Sequence, residues 1–298
     1  MAARVRDALV PFVFEGAAVR GALVRLPRAA RDIVAAHAYP PALARALAEL
    51  TAASTLLAST LKLEGSLLLQ VAGDGPVRLA VVECTDRLDV RGTAQWDAAR
   101  IADLAPDASL RTLAGSASAR MTITLDPRNG GPLYQGIVAL DADTIASLIE
   151  HYLATSEQLA SRLVLSVRDE AAAGLLVQRL PSSSAPDDAT WARIAATLAA
   201  LPGAALHDGS DDIALLATIF AGDDLRVFDA RPVQARCSCS RERVETALAI
   251  AGREEVEAAL EERGHVEVTC EFCNRRYVFT PVEARAVFAS RPPVARLH

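Results

Sequence analysis

Two short stretches near the C-terminal end carry the residues best suited to metal or redox chemistry: RCSCS, Arg236–Ser240, and TCEFC, Thr269–Cys273. Together they hold four of the chain's five cysteines, as one C-x-C and one C-x-x-C pair. Two tight pairs on either side of a spacer suit a tetrahedral Zn2+, with Cys237, Cys239, Cys270 and Cys273 as its ligands. Four soft thiolates leave no position for water, which disfavours a hydrolytic centre. Such a site carries net negative charge, and Arg236, Arg241, Arg243, Arg275 and Arg276 are near in sequence to offset it. His265 is the alternative ligand nearby, but with four thiols at hand it reads as a hairpin residue.

On the residues alone two uses of the site stay open. It can be purely structural, the usual role of a closed four-thiolate site. It can also sense oxidants, since neighbouring arginines favour the thiolate, the form that oxidants attack.

The elements that must hold these thiols form a small module, read as residues 231–298. Ser240 caps a helix from Arg241 to about Ala251, and Gly264 ends a second one from Arg253. HVEVTCEFCNRRYVF then reads as a hairpin whose turn is the C-x-x-C itself. Thr280, Pro281 and Glu283 spell a capping box that opens a last helix. About sixty residues with so few large apolar side chains fold securely only with a staple.

Upstream, residues 1–180 read as an α+β core, a mixed β-sheet domain flanked by helices. Strands are expected at Gly21–Leu26, Ser66–Gly73, Val77–Thr85, Arg87–Gly92, Ala119–Leu125, Tyr134–Leu140, Arg162–Arg168 and Gly174–Leu180. Helices are expected over 28–37, 41–61 and 143–155. Arg45 and Glu49 make the 41–61 pattern an amphipathic helix and not a membrane span. Residues 181–230 form a helical linker: PSSSAPDD, then short helical patterns over Trp191–Leu201 and Asp211–Phe220. This linker holds eight Asp against two Arg, a balance of −6 that equals the net charge of the whole chain. Short helices of like charge are marginal unless they dock on something, so the segment is either metastable or an ordinary connector. Trp191, Phe220 and Phe228 suit either docking anchors or contacts with a partner.

At −6 the chain offers no global attraction for a polyanion, although a structural four-cysteine zinc module that binds nucleic acid is the alternative reading. No secretory signal is read: the apolar run Ala8–Phe14 is short, is followed by Glu15 and lacks a cleavage pattern. A cytoplasmic protein, with its thiols kept reduced and no membrane partner, is the expectation. No phosphate-binding loop appears, and Ser59–Lys62 matches S-x-x-K without that motif's companions, so no enzyme is read. Cys84, in a strand, reads as a buried thiol.

FDARPVQARCSCSRERV together with VEVTCEFCNRRYVF closely resembles the C-terminal signature of the heat-shock protein 33 family. YQGIVAL at Tyr134–Leu140 and HYLATSEQ at His151–Gln158 are similar to that family's core-domain motifs. The resemblance implies a redox-regulated holdase chaperone of the bacterial cytoplasm that works without ATP. It implies one Zn2+ on Cys237, Cys239, Cys270 and Cys273 in the reduced, inactive state. Oxidation would join Cys237 to Cys239 and Cys270 to Cys273, release the metal, unfold the linker and expose apolar surface for unfolded client proteins. The active, oxidised form would be a homodimer.

Overall fold

The computed structural model describes residues 6–61, 64–115, 118–181 and 188–289. Lys62 and most of the serine-rich stretch, Ser182–Asp187, lie outside them. The chain forms two compact units, Met1–Arg236 and Cys237–His298.

The larger unit begins with strand β1 (Ala8–Phe14), β2 (Val19–Leu26), helix α1 (Ala29–Ala35) and helix α2 (Pro41–Thr60). Strands β3 (Gly65–Ala72), β4 (Val77–Thr85) and β5 (Asp89–Trp96) follow, then the short helices α3 (Ala98–Ile101) and α4 (Leu110–Ala114). Next come β6 (Arg120–Pro127), β7 (Tyr134–Ala139), α5 (Ile145–Thr155), β8 (Ser161–Arg168) and β9 (Ala171–Arg179). The acidic segment supplies α6 (Asp188–Ala200), a 3-10 turn at Gly203–His207 and α7 (Asp212–Ile219). Three very short strands close the unit: β10 (Leu225–Val227), β11 (Arg231–Pro232) and β12 (Gln234–Ala235).

These strands make two sheets. The first runs β10-β1-β2-β9-β8, with β11 also on β1; the second runs β12-β5-β4-β3-β6-β7. Among the described residues every pairing is antiparallel except β12 on β5, so the fold is α+β with one mixed sheet. Hairpins explain this, because β3-β4-β5, β6-β7 and β8-β9 each join neighbours too close in sequence for a parallel crossover.

Helix α2 packs against both sheets and is buried along most of its length, with Leu43, Leu47, Leu50 and Leu56 in the shared core. Its Ala-rich sequence permits this close approach on several sides, and Gly174 opposite Leu56 leaves space that a Cβ would fill to within 2.8 Å of the leucine. Thr51 and Thr55 satisfy their buried hydroxyls by donating to the Leu47 and Thr51 carbonyls, each at 2.8 Å. The sequence pattern predicts an amphipathic helix, and the structure has the helix with a narrow polar margin: Arg45 and Glu49 pair at 2.7 Å along it, and most of the remaining residues are interior. Among the described residues no helix is long and apolar enough to cross a membrane.

The first sheet is apolar on both faces. Leu9, Ala22, Val24 and Leu176 point to α2, while Val10, Phe12, Phe14, Leu23, Leu175 and Val177 point the other way. That second face is covered by the acidic segment through Ile194, Leu198, Leu206, Leu215, Leu216 and Phe220. Phe220 meets the rings of Phe12 and Phe14 at 5.7 and 5.0 Å between centroids, so of the three linker aromatics it is a docking anchor. Trp191 packs at the margin of the same cluster, and Phe228 stays 45% exposed.

Leu47 sits at the centre of this arrangement. Leu47→Ala should destabilise the larger unit by about 2–5 kcal/mol, measured as a shift of the denaturation midpoint at unchanged slope.

Candidate metal centre

The smaller unit consists of α8 (Arg241–Ala251), α9 (Arg253–Arg263), the hairpin β13 (Val266–Thr269) and β14 (Arg276–Phe279), and α10 (Pro281–Ala289). Its core is thin: Val244, Leu248, Val256, Leu260, Val266, Tyr277, Phe279, Ala284 and Val287. Much of its definition comes from local polar contacts. The Ser240 hydroxyl accepts from the Arg243 amide at 3.3 Å and starts α8 directly after the first thiol pair. Gly264, at φ 72°, ends α9 in the left-handed conformation that favours glycine. Thr280 and Glu283 exchange amide-to-side-chain bonds of 2.8 and 3.3 Å, the capping box expected from the sequence.

These elements bring the two motifs together. Cys237 and Cys239 lie in the extended stretch leading to α8, while Cys270 and Cys273 lie in the turn between β13 and β14. The turn is tied by Cys270 N donating to the Arg275 carbonyl at 2.9 Å and Asn274 N donating to the Cys270 carbonyl at 2.8 Å. Asn274 takes φ 56°, a left-handed position that asparagine tolerates better than most residues. All four sulfurs fall within 4.8 Å of one another, the only such group of potential metal ligands among the described residues. Cys237 and Cys270 sulfurs are 3.6 Å apart, those of Cys239 and Cys273 3.4 Å. A tetrahedron with metal–sulfur bonds near 2.3 Å has edges of about 3.8 Å, so the four donors match a Zn2+ ion in type, number and spacing. His265 is not among them; its Nδ1 lies 3.0 Å from the Arg263 carbonyl.

The thiols differ in their surroundings. Burial works against ionisation at Cys239, but the Tyr277 hydroxyl, donating to its sulfur at 3.1 Å, and the neighbouring thiols outweigh it and bring the group down to about 7. Burial, with its hydrogen bond to Cys239, pushes Cys273 up to about 12, and burial likewise raises Cys237. Tyr277 was not a candidate from sequence; its place on the inward-facing alternation of β14 is the signal that could have found it.

The arginines divide more than their sequence positions suggest. Arg241 pairs with Glu283 at 2.7 Å and lies over the Phe279 ring at 4.1 Å. Arg276 is held by Glu267, and Arg243 donates to the Ser238 hydroxyl at 2.6 Å between the first two thiols. Arg236, in the larger unit, faces Asp89 at 3.9 Å. Arg275 is the one whose affinity for its proton is raised by Tyr277 first and then by the charges of Cys239 and Cys273.

Cys84 is elsewhere, fully buried in β4, where loss of solvent pushes its thiol up to about 12.

A profile of the Hsp33 protein family matches residues 7–280. A 33 kDa chaperonin of Chromobacterium violaceum is 43% identical over 284 residues, covering 95% of this chain and 94% of that protein. One from Neisseria meningitidis is 41% identical over 282 residues, covering 95% and 91%. The crystal structure of a 33 kDa chaperonin homologue from Thermotoga maritima shares the fold, with a TM-score of 0.78 at 22% identity over 95% of this chain and 98% of that one.

The contrast among the thiols is testable. In reduced, metal-free protein at neutral pH, a thiol-alkylating reagent should modify Cys239 first among the C-terminal cysteines and leave the fully buried Cys84 unmodified until denaturant is added, as read by peptide mass spectrometry.

Proposed function

The chain belongs to the Hsp33 family of chaperones, and from that premise we propose that it is a holdase switched on by oxidation, which binds unfolded proteins without ATP and limits their aggregation. The observation that carries this reading is the convergence of four thiols within 4.8 Å in a unit whose own core is small. Cys237, Cys239, Cys270 and Cys273 would hold one Zn2+ in the reduced protein. When bound, the ion supplies folding free energy of about 10 kcal/mol and no catalysis, since four thiolates leave it no open position.

Oxidation acts on the sulfurs. Each pair of metal-binding thiolates, Cys237 with Cys239 and Cys270 with Cys273, gives up two electrons to form one disulfide, while hydrogen peroxide accepts them with two protons from solvent and becomes two waters. Sulfurs joined in this way no longer offer the thiolate charge that metal binding requires. The thin core of the C-terminal unit would not hold by itself.

The proposed response reaches the acidic segment, which we take as a metastable element, 181–230, between a core, 1–180, and a switch module, 231–298. Its anchoring by a few apolar side chains, against strong like charge, supports that role. Beneath it lie Phe12, Phe14, Leu23, Leu175 and Val177, an apolar sheet face suited to unfolded segments once uncovered. In the oxidised state the protein would act as a homodimer in the cytoplasm. A nucleic-acid-binding role finds no support in the −6 charge.

The decisive experiment follows metal release with a chromogenic chelator while light scattering reports aggregation of a heat-denatured client. Peroxide or hypochlorous acid should release one zinc per chain and start suppression of scattering together. Protein that suppresses aggregation equally before and after oxidation, or keeps its zinc throughout, defeats the reading. Cys237→Ser should lower zinc content and make residues 181–298 more sensitive to protease even in reductant.

A further inference from the structure

Arg25 is the only charged side chain in the buried interior among the described residues, 4% exposed. It lies on β2, where alternation puts it on the same face as Leu23, the face covered by the acidic segment. Its polar partners all come from that segment. Nη1 donates to the Ser210 carbonyl at 2.8 Å; Nε lies 3.3 Å from Asp212 Oδ1, and Nη2 lies 3.7 Å from Asp208 Oδ1. Neither Nε nor Nη2 completes a hydrogen bond, and the neighbouring His207 Nε2 is buried without a partner as well. The two carboxylates are much more exposed than the guanidinium, 50% for Asp208 and 29% for Asp212 against 5%.

This is an under-satisfied contact in an otherwise apolar seam. A buried cation is tolerated only while its counter-charges stay, yet the pair as a whole contributes little, because lifting the segment returns the guanidinium to water. An aliphatic side chain at the same place would instead lose its burial on opening. Arg25 therefore fixes where residues 208–212 sit while weakening the incentive to stay there.

We propose that Arg25 is a positioning residue that keeps the acidic segment releasable: it sets the docked register through Asp208, Ser210 and Asp212 and brings the docked state closer in free energy to the lifted one. The proposal builds on the segment's release put forward above, but it concerns the docking equilibrium itself and is read without any client.

The test uses full-length, reduced, zinc-loaded protein and backbone hydrogen exchange over Asp188–Ala200 and Asp212–Ile219, with α2 as the reference for an intact core. Asp212→Asn, which leaves the guanidinium buried and short of a charge, should speed exchange in both helices by about a hundredfold. Combining Arg25→Met with Asp212→Asn removes charge on both sides and should return protection to at least the wild-type level. A double variant that exchanges as fast as Asp212→Asn, or faster, overturns the proposal, since Arg25 would then be an ordinary stabilising contact. Unchanged exchange in Asp212→Asn overturns it too, and should the double variant not fold, Arg25→Met alone decides the matter: protection at or above wild type supports the proposal and faster exchange overturns it. If exchange behaves as expected while client suppression after oxidant is the same in all variants, the assignment of Arg25 stands and the coupling of segment release to holdase action falls.

Discussion

The convergence of four sulfurs, two from the stretch before α8 and two from the turn between β13 and β14, is what the smaller unit is arranged around. Its helices bury only Val244, Leu248, Val256, Leu260 and a handful of further side chains, too little apolar area for a module of about sixty residues to be secure. What the core lacks, the sulfur cluster supplies if it is bridged, and each local feature serves to bring the sulfurs within range. The Ser240 cap starts α8 immediately after Cys239, and the left-handed Asn274 turns the chain between Cys273 and β14.

The larger unit follows a different rule. Its first sheet has apolar side chains on both faces, and only one of them can pack on α2. The other face needs a cover, and the cover is the Asp-rich segment that follows β9. Burial of Leu206, Leu215, Leu216 and Phe220 opposes the mutual repulsion of the aspartates and the desolvation of Arg25. The segment is docked, its position is marked by one buried guanidinium, and the metastability proposed above rests on the balance between these terms.

Charge near the sulfurs is also distributed unevenly. Most of the arginines adjacent in sequence are engaged by carboxylates or hydroxyls, leaving Arg275 and the Tyr277 hydroxyl as the groups that favour negative sulfur. The Tyr277 contact depends on strand alternation bringing its ring inward beside Cys239, which proximity in sequence does not reveal.

Local rules made much of this legible in the residues. The paired cysteines, the Ser240 and Thr280 caps, the Gly264 stop and the hairpin strands all depend on neighbours within a few positions, and each stands as read. The first strand, Ala8–Phe14, escaped because its continuous apolar run has no clear alternation; such a run belongs to a strand buried on both faces, and only the packed fold supplies both. Helix α2 was legible as a helix but its depth of burial was not, since Arg45 and Glu49 mark a half-buried margin and only packing between two sheets decides the rest. The placement of Arg25 under Asp208 and Asp212 joins residues more than 180 positions apart, and nothing in either stretch announces the other. Types, caps and ligand spacing were thus decided by the sequence, because they act over a few bonds. Which face is covered, by what, and which charge is buried beneath were decided by tertiary packing, because burial is a property of the assembled chain.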